Sequence, residues 1–292
     1  MEKFLYFLEK VSEFWKRAPK GPLIILILLF TTGIFADFLA FGHDPEVGNP
    51  RLRLLPPFWY EGGTTKYPLG TDTMGRDVLT RLIYGSRVSL LVAFAAVIVA
   101  SVIGTILGIL AGYHGGWVDQ VVMRFTDAWL SIPTVMFGIL LAVIVGPGVF
   151  NIVIIMGLVF WTRYARVTRG ETLSLKEREF VQLAIVDGCS KLRIMRKHIL
   201  PNVINNVITL ASMQIGIVVV VEASLTFLGV GVPPPKPAWG LMLSEGRGGL
   251  LAGYWWLIVF PGVAIAFLVM SFNLMGDWLR LYLDPHYRHI EA

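Results

Sequence analysis

The sequence has few charged residues and almost no cysteine. Only 15% of its 292 residues are Asp, Glu, Lys or Arg, whereas soluble domains average about 25%. The single Cys189 excludes an intramolecular disulfide, and no Cys/His cluster has the spacing of a structural zinc site. The loop G-x-x-x-x-G-K-[ST], which cradles nucleotide phosphates, is also absent from the sequence. These absences argue against a soluble enzyme and against metal or redox chemistry.

Apolar residues are abundant, at 55% of the chain with a mean hydropathy of +0.67. Six membrane-spanning helices of about 20 to 25 residues use roughly 120 to 150 residues. The composition therefore predicts an all-α integral membrane protein with six transmembrane helices. The predicted spans are residues 23–41, 88–110, 121–145, 150–161, 203–228 and 254–281, the fourth being short unless it continues toward Val167.

The N-terminal 22 residues form a separate segment. Within residues 2–17 the large apolar side chains fall at helical spacing, with charged residues between them. This pattern is typical of an amphipathic helix in the membrane interface. No small-residue cleavage site follows the run 23–41, which favours an uncleaved span over the alternative, a signal peptide.

The distribution of Lys and Arg predicts the orientation. If the N-terminus is cytoplasmic, 17 of the 25 basic residues fall in cytoplasmic segments and 8 in outer segments. This asymmetry agrees with the positive-inside rule. We therefore predict that both termini are cytoplasmic. The net charge of +5 then reflects membrane topology and gives no support to nucleic-acid binding.

The remaining organisation follows from the spans. Residues 42–87 contain five Pro and seven Gly, which indicates a folded or draped extracytoplasmic loop. Residues 88–285 then form a five-span core, and 286–292 a cytoplasmic tail. Inside the second span, glycines recur every four residues at Gly104, Gly108 and Gly112. Such a stripe lets another helix approach closely, either within this subunit, which we favour, or from a second subunit.

The longest cytoplasmic segment, residues 163–202, carries the most information. The stretch FVQLAIVD (180–187) predicts a short helix that ends at Gly188, a residue suited to a left-handed C-terminal position. Ser190 predicts the N-cap of a second short helix, and Pro201 closes the unit. A cytosolic partner could grip such a helix-turn-helix in a groove. The alternative is a plain connector between the fourth and fifth spans.

Three stretches resemble a known family. The run QLA (182–184), with Gly188 and then HILPN (198–202), is similar to the EAA loop of ABC-importer permeases, E-A-A-x-x-x-G followed by a Leu-Pro. YPLGTDTMGRDVLTRLIYGSRVSL (67–90) and WTRYARVTRGE (161–171) resemble the C-type membrane subunit of the dipeptide and oligopeptide permeases. The chain departs from the pattern at Gln182, Leu183 and Asp187, and the missing carboxylate at 182 puts a charge contact with an ATPase in doubt.

The resemblance implies a permease subunit of an ATP-driven importer in a prokaryotic plasma membrane. Such a subunit pairs with a second, homologous permease, while two cytosolic ATPases bind the EAA loops and an extracytoplasmic binding protein delivers the substrate. ATP and Mg²⁺ would be bound by the ATPases, so this chain itself would be neither an enzyme nor a cofactor binder. The residues implied in ATPase coupling are Phe180, Gln182, Ala184, Asp187, Gly188, Arg193, Leu200 and Pro201.

The cargo and the pathway are less well defined. Peptides are the most common cargo in the resembled family, with nickel, glutathione or another small solute as alternatives. Ionisable or polar residues inside spans are costly and often functional, which makes Asp127, Glu222 and Asn273 pathway candidates. Asp127 is expected to pair with Arg124, and Glu222 could equally make a structural contact between helices. We find no inverted repeat of a secondary transporter and no catalytic constellation within a span.

Overall fold

Helices make up the regular structure of the computed structural model, which describes residues 17–40 and 42–283. Within these residues the only strand-like pairing is an isolated bridge between Thr71 and Asp77, and the predicted all-α class is confirmed for this part of the chain. The helices are α1 (Lys20–Ile34), α2 (Ala36–Leu39), α3 (Val78–His114), α4 (Gly116–Leu130), α5 (Thr134–Val145), α6 (Val149–Lys176), α7 (Glu179–Val186), α8 (Lys191–Phe227), α9 (Trp239–Gly246) and α10 (Trp256–Leu283). Two 3-10 helices cover Pro50–Leu52 and Arg247–Ala252. The predicted interfacial helix over 2–17, apart from Arg17, and the tail 286–292 lie outside the described residues.

The prediction of six spans is confirmed only in part. Four of the described helices, α3, α6, α8 and α10, are long and apolar enough to cross a membrane. The pair α4 and α5 makes a fifth span only if its bend of 96° is counted within one span, and α1 is a shorter apolar helix of 15 residues. The bend lies at Pro133, which fixes its own φ, has no N–H and disfavours helix at the residue before it.

Two helix boundaries in the structure differ from the predicted span boundaries. The helix α6 is one continuous element of 28 residues, so the fourth run does continue past Val167. The helix α3 begins at Val78, ten residues before the predicted second span. Asp77 caps it, because its carboxylate accepts hydrogen bonds from the backbone N–H groups of Leu79 (3.3 Å) and Thr80 (3.0 Å).

The helices α3 and α6 pack against each other along the glycine stripe. A Cβ at Gly104 would lie 2.5 Å from Tyr164 Cβ, and one at Gly112 would lie 2.8 Å from Thr172 Cβ. Both distances are shorter than real Cβ contacts, so only glycine permits this approach. The stripe is therefore a contact within the subunit, as favoured from the sequence. Buried apolar residues of α3 and α6 belong to one hydrophobic core that also includes residues of α8 and α10.

The end of α1 is held by a side chain from α3. Arg87 donates from Nε to the Gly33 carbonyl (2.8 Å) and from Nη2 to the Ile34 carbonyl (3.2 Å). These are carbonyls that the last turn of a helix leaves without partners. The same guanidinium forms an ion pair of 2.9 Å with Asp37. The helix α1 is thereby attached to α3 at this end.

The two segments predicted to lie outside, the outer loop 42–87 and residues 229–253, are more ordered than the sequence suggested. The helix α8 stops at Phe227, one residue before the predicted end of the fifth span and just before a proline-rich stretch at 229–237. The helix α9 then lies within 229–253, where no helix was predicted. Its Trp239 is buried against Gly85 and donates from Nε1 to the Leu82 carbonyl at 2.9 Å. Trp256 likewise donates to the Thr71 carbonyl at 3.3 Å. These two indoles join the outer loop, the start of α3 and the start of α10.

Candidate functional site

The predicted coupling loop, the part of residues 163–202 that follows α6, begins where that helix ends. This helix stops at Lys176, and after two residues α7 begins at Glu179. Gln182, the residue that departs from the family pattern, turns back toward α6, where its Nε2 donates to the Lys176 carbonyl at 2.8 Å. That carbonyl belongs to the last helical turn, which lacks partners within its own helix. A glutamate here could not make this bond in its ionised form, because a carboxylate only accepts hydrogen bonds.

The turn after α7 has the predicted geometry. Gly188 has a φ of +75°, and its N–H donates to the Ile185 carbonyl while that of Cys189 donates to the Ala184 carbonyl, both at 3.0 Å. This pair of bonds is the Schellman motif. Ser190 then accepts a hydrogen bond from the Arg193 N–H at 3.4 Å, which confirms it as an N-cap.

The second helix of the loop is longer than predicted. Pro201 does not close the unit, because α8 runs without a break from Lys191 to Phe227. The residues before the proline, Met195–Ile199, form a π-helical turn, and the Leu200 N–H reaches back to the Met195 carbonyl. A wider turn accommodates a proline that lacks an N–H and whose ring clashes with a normal helical carbonyl. The coupling loop is therefore continuous with the fifth predicted span.

The loop has a buried side and an exposed side. Val181, Ala184, Ile194 and Ile199 are buried and attach it to the helices. Rings of Phe180 and His198, 6.5 Å apart, add a contact between α7 and α8. Large apolar side chains on both sides of the glycine turn are nevertheless exposed, among them Val186 (82%) and Leu192 (71%). We define the docking surface as the exposed residues Leu183, Val186, Asp187, Leu192 and Arg193.

Three arginines in the C-terminal half of α6 each have a different partner. Arg169 forms a two-pronged pair with Asp119 (2.5 and 2.6 Å), and Arg163 donates to Gln214 Oε1 at 3.0 Å. Arg166 pairs with Asp127 at 2.6 Å. The expected pairing of Asp127 with Arg124 is therefore wrong.

The physical reason for this correction is the spacing of the arginines. Residues three apart lie on one helix face, and on α6 this face is turned toward α4 and α8, so Arg166 reaches Asp127 across the packed helices. The C-terminal half of α6, which leads into the coupling loop, is thereby joined to α4 and α8. The Arg166–Asp127 pair is more than half exposed, a setting in which an ion pair contributes little stability.

The pathway candidates lie in different environments. Glu222 is 1% exposed, and its Oε1 accepts a hydrogen bond from Thr226 Oγ1 at 2.8 Å. The same hydroxyl accepts from the Val232 N–H at 3.2 Å, so this pair supports the start of the proline-rich stretch. Asn273 is exposed and lines an open groove of about 480 Å³ along α8 and α10. The structure does not bring Glu222 and Asn273 into one site.

A buried charge cluster at the other end of the molecule was missed from the sequence. Arg76 contacts Asp72 (2.7 Å) and Glu245 (2.8 Å), and the 1% exposed Arg81 contacts the same two carboxylates at 2.5 Å. Residues 72–81 lie within the stretch 67–90 that resembles the permease family, but no ion pair was predicted there. Glu245 lies 164 residues beyond Arg81, and nothing in its local sequence signals this pairing. The cluster fastens the outer loop and the start of α3 to α9.

Comparisons with known proteins decide the family. Residues 104–289 match the family described as binding-protein-dependent transport system inner membrane component. The chain belongs to this family. It is 40% identical to a dipeptide transport system permease protein from Haemophilus influenzae, over 94% of each chain. A di/tripeptide permease from Pseudomonas aeruginosa is 35% identical (96% and 94% covered), and a glutathione permease from Pectobacterium atrosepticum 36% (94% and 90%).

Family membership confirms the resemblance drawn from the three motifs. The chain is a multi-pass inner-membrane permease subunit of an ABC importer, and it is not itself an enzyme. Permeases of this kind work with ATPase and binding-protein partners. The sequence of this subunit contains no nucleotide-binding loop of the G-x-x-x-x-G-K-[ST] type.

Proposed function

We propose that this permease forms half of the pore of a peptide importer and receives the ATPase on its docking surface. A second, homologous permease would supply the other half of the pore. Two cytosolic ATPases would hold ATP and Mg²⁺, and a binding protein would deliver substrate from outside. The observation that carries the proposal is an exposed apolar surface, framed by Asp187 and Arg193, on a loop that follows α6, a helix bonded to α4 and α8.

The proposed topology has six spans with both termini in the cytoplasm. It counts α1 as the first span and the bent pair α4 and α5 as the third. The excess of basic residues between Arg163 and Lys197 supports a cytoplasmic coupling loop. Cysteines at Lys176 and Lys236, in a chain without Cys189, should react with an impermeant reagent from opposite sides of the membrane. Equal labelling from outside would overturn this topology.

The proposed cargo is di- or oligopeptides. Relatives named for dipeptides, di/tripeptides and oligopeptides support it, whereas the relative named for glutathione supports a second candidate. Among the pathway candidates, the exposure of Asn273 on an open groove supports contact with cargo. The ion pair of Asp127 and the burial of Glu222 support structural roles. ATP-dependent uptake by the assembled importer of labelled dipeptide, longer peptide, glutathione and nickel would distinguish these cargoes.

The docking role is tested by placing a charge on the docking surface. Val186→Glu alters a side chain that is 82% exposed, so folding should be unaffected, but an unpaired carboxylate in an apolar interface disfavours binding. We expect the ATPase to be lost from the purified complex while the second permease is retained. Val47→Glu, at an outer side chain that is 69% exposed, is the matched control. Wild-type ATPase retention by the Val186 variant would support the plain connector instead.

A further inference from the structure

Five aromatic rings form a connected cluster at the end of the molecule opposite the coupling loop. Trp59 contacts Phe58 (ring centroids 5.1 Å apart) and Phe260 (6.3 Å). Trp255 contacts Phe260 (5.7 Å) and Tyr60 (6.0 Å). We call these five residues the aromatic cluster. Three of them are consecutive in the outer loop, Phe260 lies near the start of α10, and Trp255 directly precedes that helix.

The position of this cluster relative to a span follows from α10. Phe260 is the fifth residue of that helix, which begins at Trp256 and so places Phe260 about 6 Å along the helix axis at 1.5 Å per residue. Trp59 packs on Phe260 and is therefore level with the first turn of a membrane-spanning helix. The tip of the outer loop thus folds back beside the span.

Part of the aromatic cluster is exposed on the surface of the protein. Phe58, Trp59 and Tyr60 are 53%, 50% and 50% exposed, and the neighbouring Leu251, just before α10, is fully exposed. Consecutive exposed aromatic side chains are unfavourable in water. Trp and Tyr, which have an apolar body and a polar tip, are enriched at the headgroup level of membranes.

We propose that the aromatic cluster and Leu251 lie in the headgroup layer and contact phospholipid. Residues 58–60 then anchor the outer loop to the bilayer, although they belong to no span. The position beside the first turn of α10 selects lipid over a soluble partner as the occupant. The proposal is independent of the cargo and of the docking surface.

The test uses fluorophores at single cysteines in the assembled importer. In a chain without Cys189, Trp59→Cys and Leu251→Cys would carry a small fluorophore in nanodiscs with or without lipid that bears a nitroxide near its headgroup. We expect both labels to lose most of their fluorescence to the nitroxide lipid and little to aqueous iodide. Val47→Cys, exposed on the same outer loop, should respond in the opposite way.

Two results would overturn the proposal. Quenching of labels 59 and 251 by iodide, with no response to nitroxide lipid, would show that the cluster faces water. Shielding from both quenchers that disappears when the second permease or the binding protein is removed would show that a protein covers the cluster. Because Leu251 is fully exposed, its variant keeps the test valid if Trp59→Cys fails to fold.

Discussion

Replacing Gln182 by glutamate tests how the coupling loop is held. The family pattern has glutamate at this position, so a missing charge contact with the ATPase would predict that Gln182→Glu strengthens docking. The geometry predicts the opposite. The Gln182 amide donates to the Lys176 carbonyl at 2.8 Å and joins α7 to the end of α6. An ionised glutamate loses this donor, while its charge would lie between the end of α6 and the first turn of α7, where the two helix dipoles have opposite effects.

The size of the effect follows from the lost hydrogen bond, which contributes about 0.5 to 1.5 kcal/mol net. We therefore expect a loss of about 1 kcal/mol for the exposed Gln182. This lowers the ratio of ordered to disordered loop by about 5-fold. We expect ATPase affinity to fall by a similar factor, since docking needs the ordered loop.

The assay is a titration of purified ATPase onto the permease pair in nanodiscs. Gln120→Glu serves as a charge control, because it adds the same charge at an exposed position on α4. Retention of the second permease reports folding. Unchanged or tighter ATPase binding by Gln182→Glu would refute the capping role and would favour the charge contact.

Three further predictions concern single residues. Gly188→Ala should weaken ATPase retention, because a Cβ at a positive φ costs about 1 to 2 kcal/mol even though the space around it is open. Gly188→Asn should weaken retention less, because Asn tolerates a positive φ better than Ala. Equal retention by both variants would refute the role of the positive φ. Gly108→Val should abolish recovery of folded permease, since a Cβ at position 108 would lie 2.5 Å from the Ala165 carbonyl oxygen. A normal yield of the variant in size-exclusion chromatography in detergent would contradict the close packing of α3 on α6. Glu222→Gln should preserve both assembly and uptake, because the amide oxygen still accepts from the Thr226 hydroxyl; lost uptake in an intact complex would assign Glu222 to the pathway.

Local patterns were enough to predict the four long apolar helices and the glycine turn of the coupling loop. Long apolar runs mark α3, α6, α8 and α10 because a spanning helix needs about 20 apolar residues. Gly188 and Ser190 were predictable because each satisfies backbone groups only a few residues away. The glycine stripe was predictable as a close contact, since the absence of a side chain is visible in the sequence itself.

Long-range pairings were not predictable in the same way. Asp127 pairs with Arg166 on α6 and not with Arg124 on its own helix. The packing of α4 against α6 determines which charged side chains come into contact. The partner of Arg81 and Arg76, Glu245, is separated from them by most of the chain. The 96° bend at Pro133 was also missed, since a proline within an apolar run marks a break but does not give its angle.

The length of α3 has a mechanical consequence. At 1.5 Å per residue its 37 residues extend about 55 Å, further than the thickness of a bilayer. One end carries Arg81 in the buried charge cluster, and the glycine stripe toward the other end locks against the helix that leads into the coupling loop. α3 is thus one continuous helix between the charge cluster and the glycine stripe. Under the proposed function, a displacement at the glycine stripe would be transmitted to the opposite end of the molecule through this single helix.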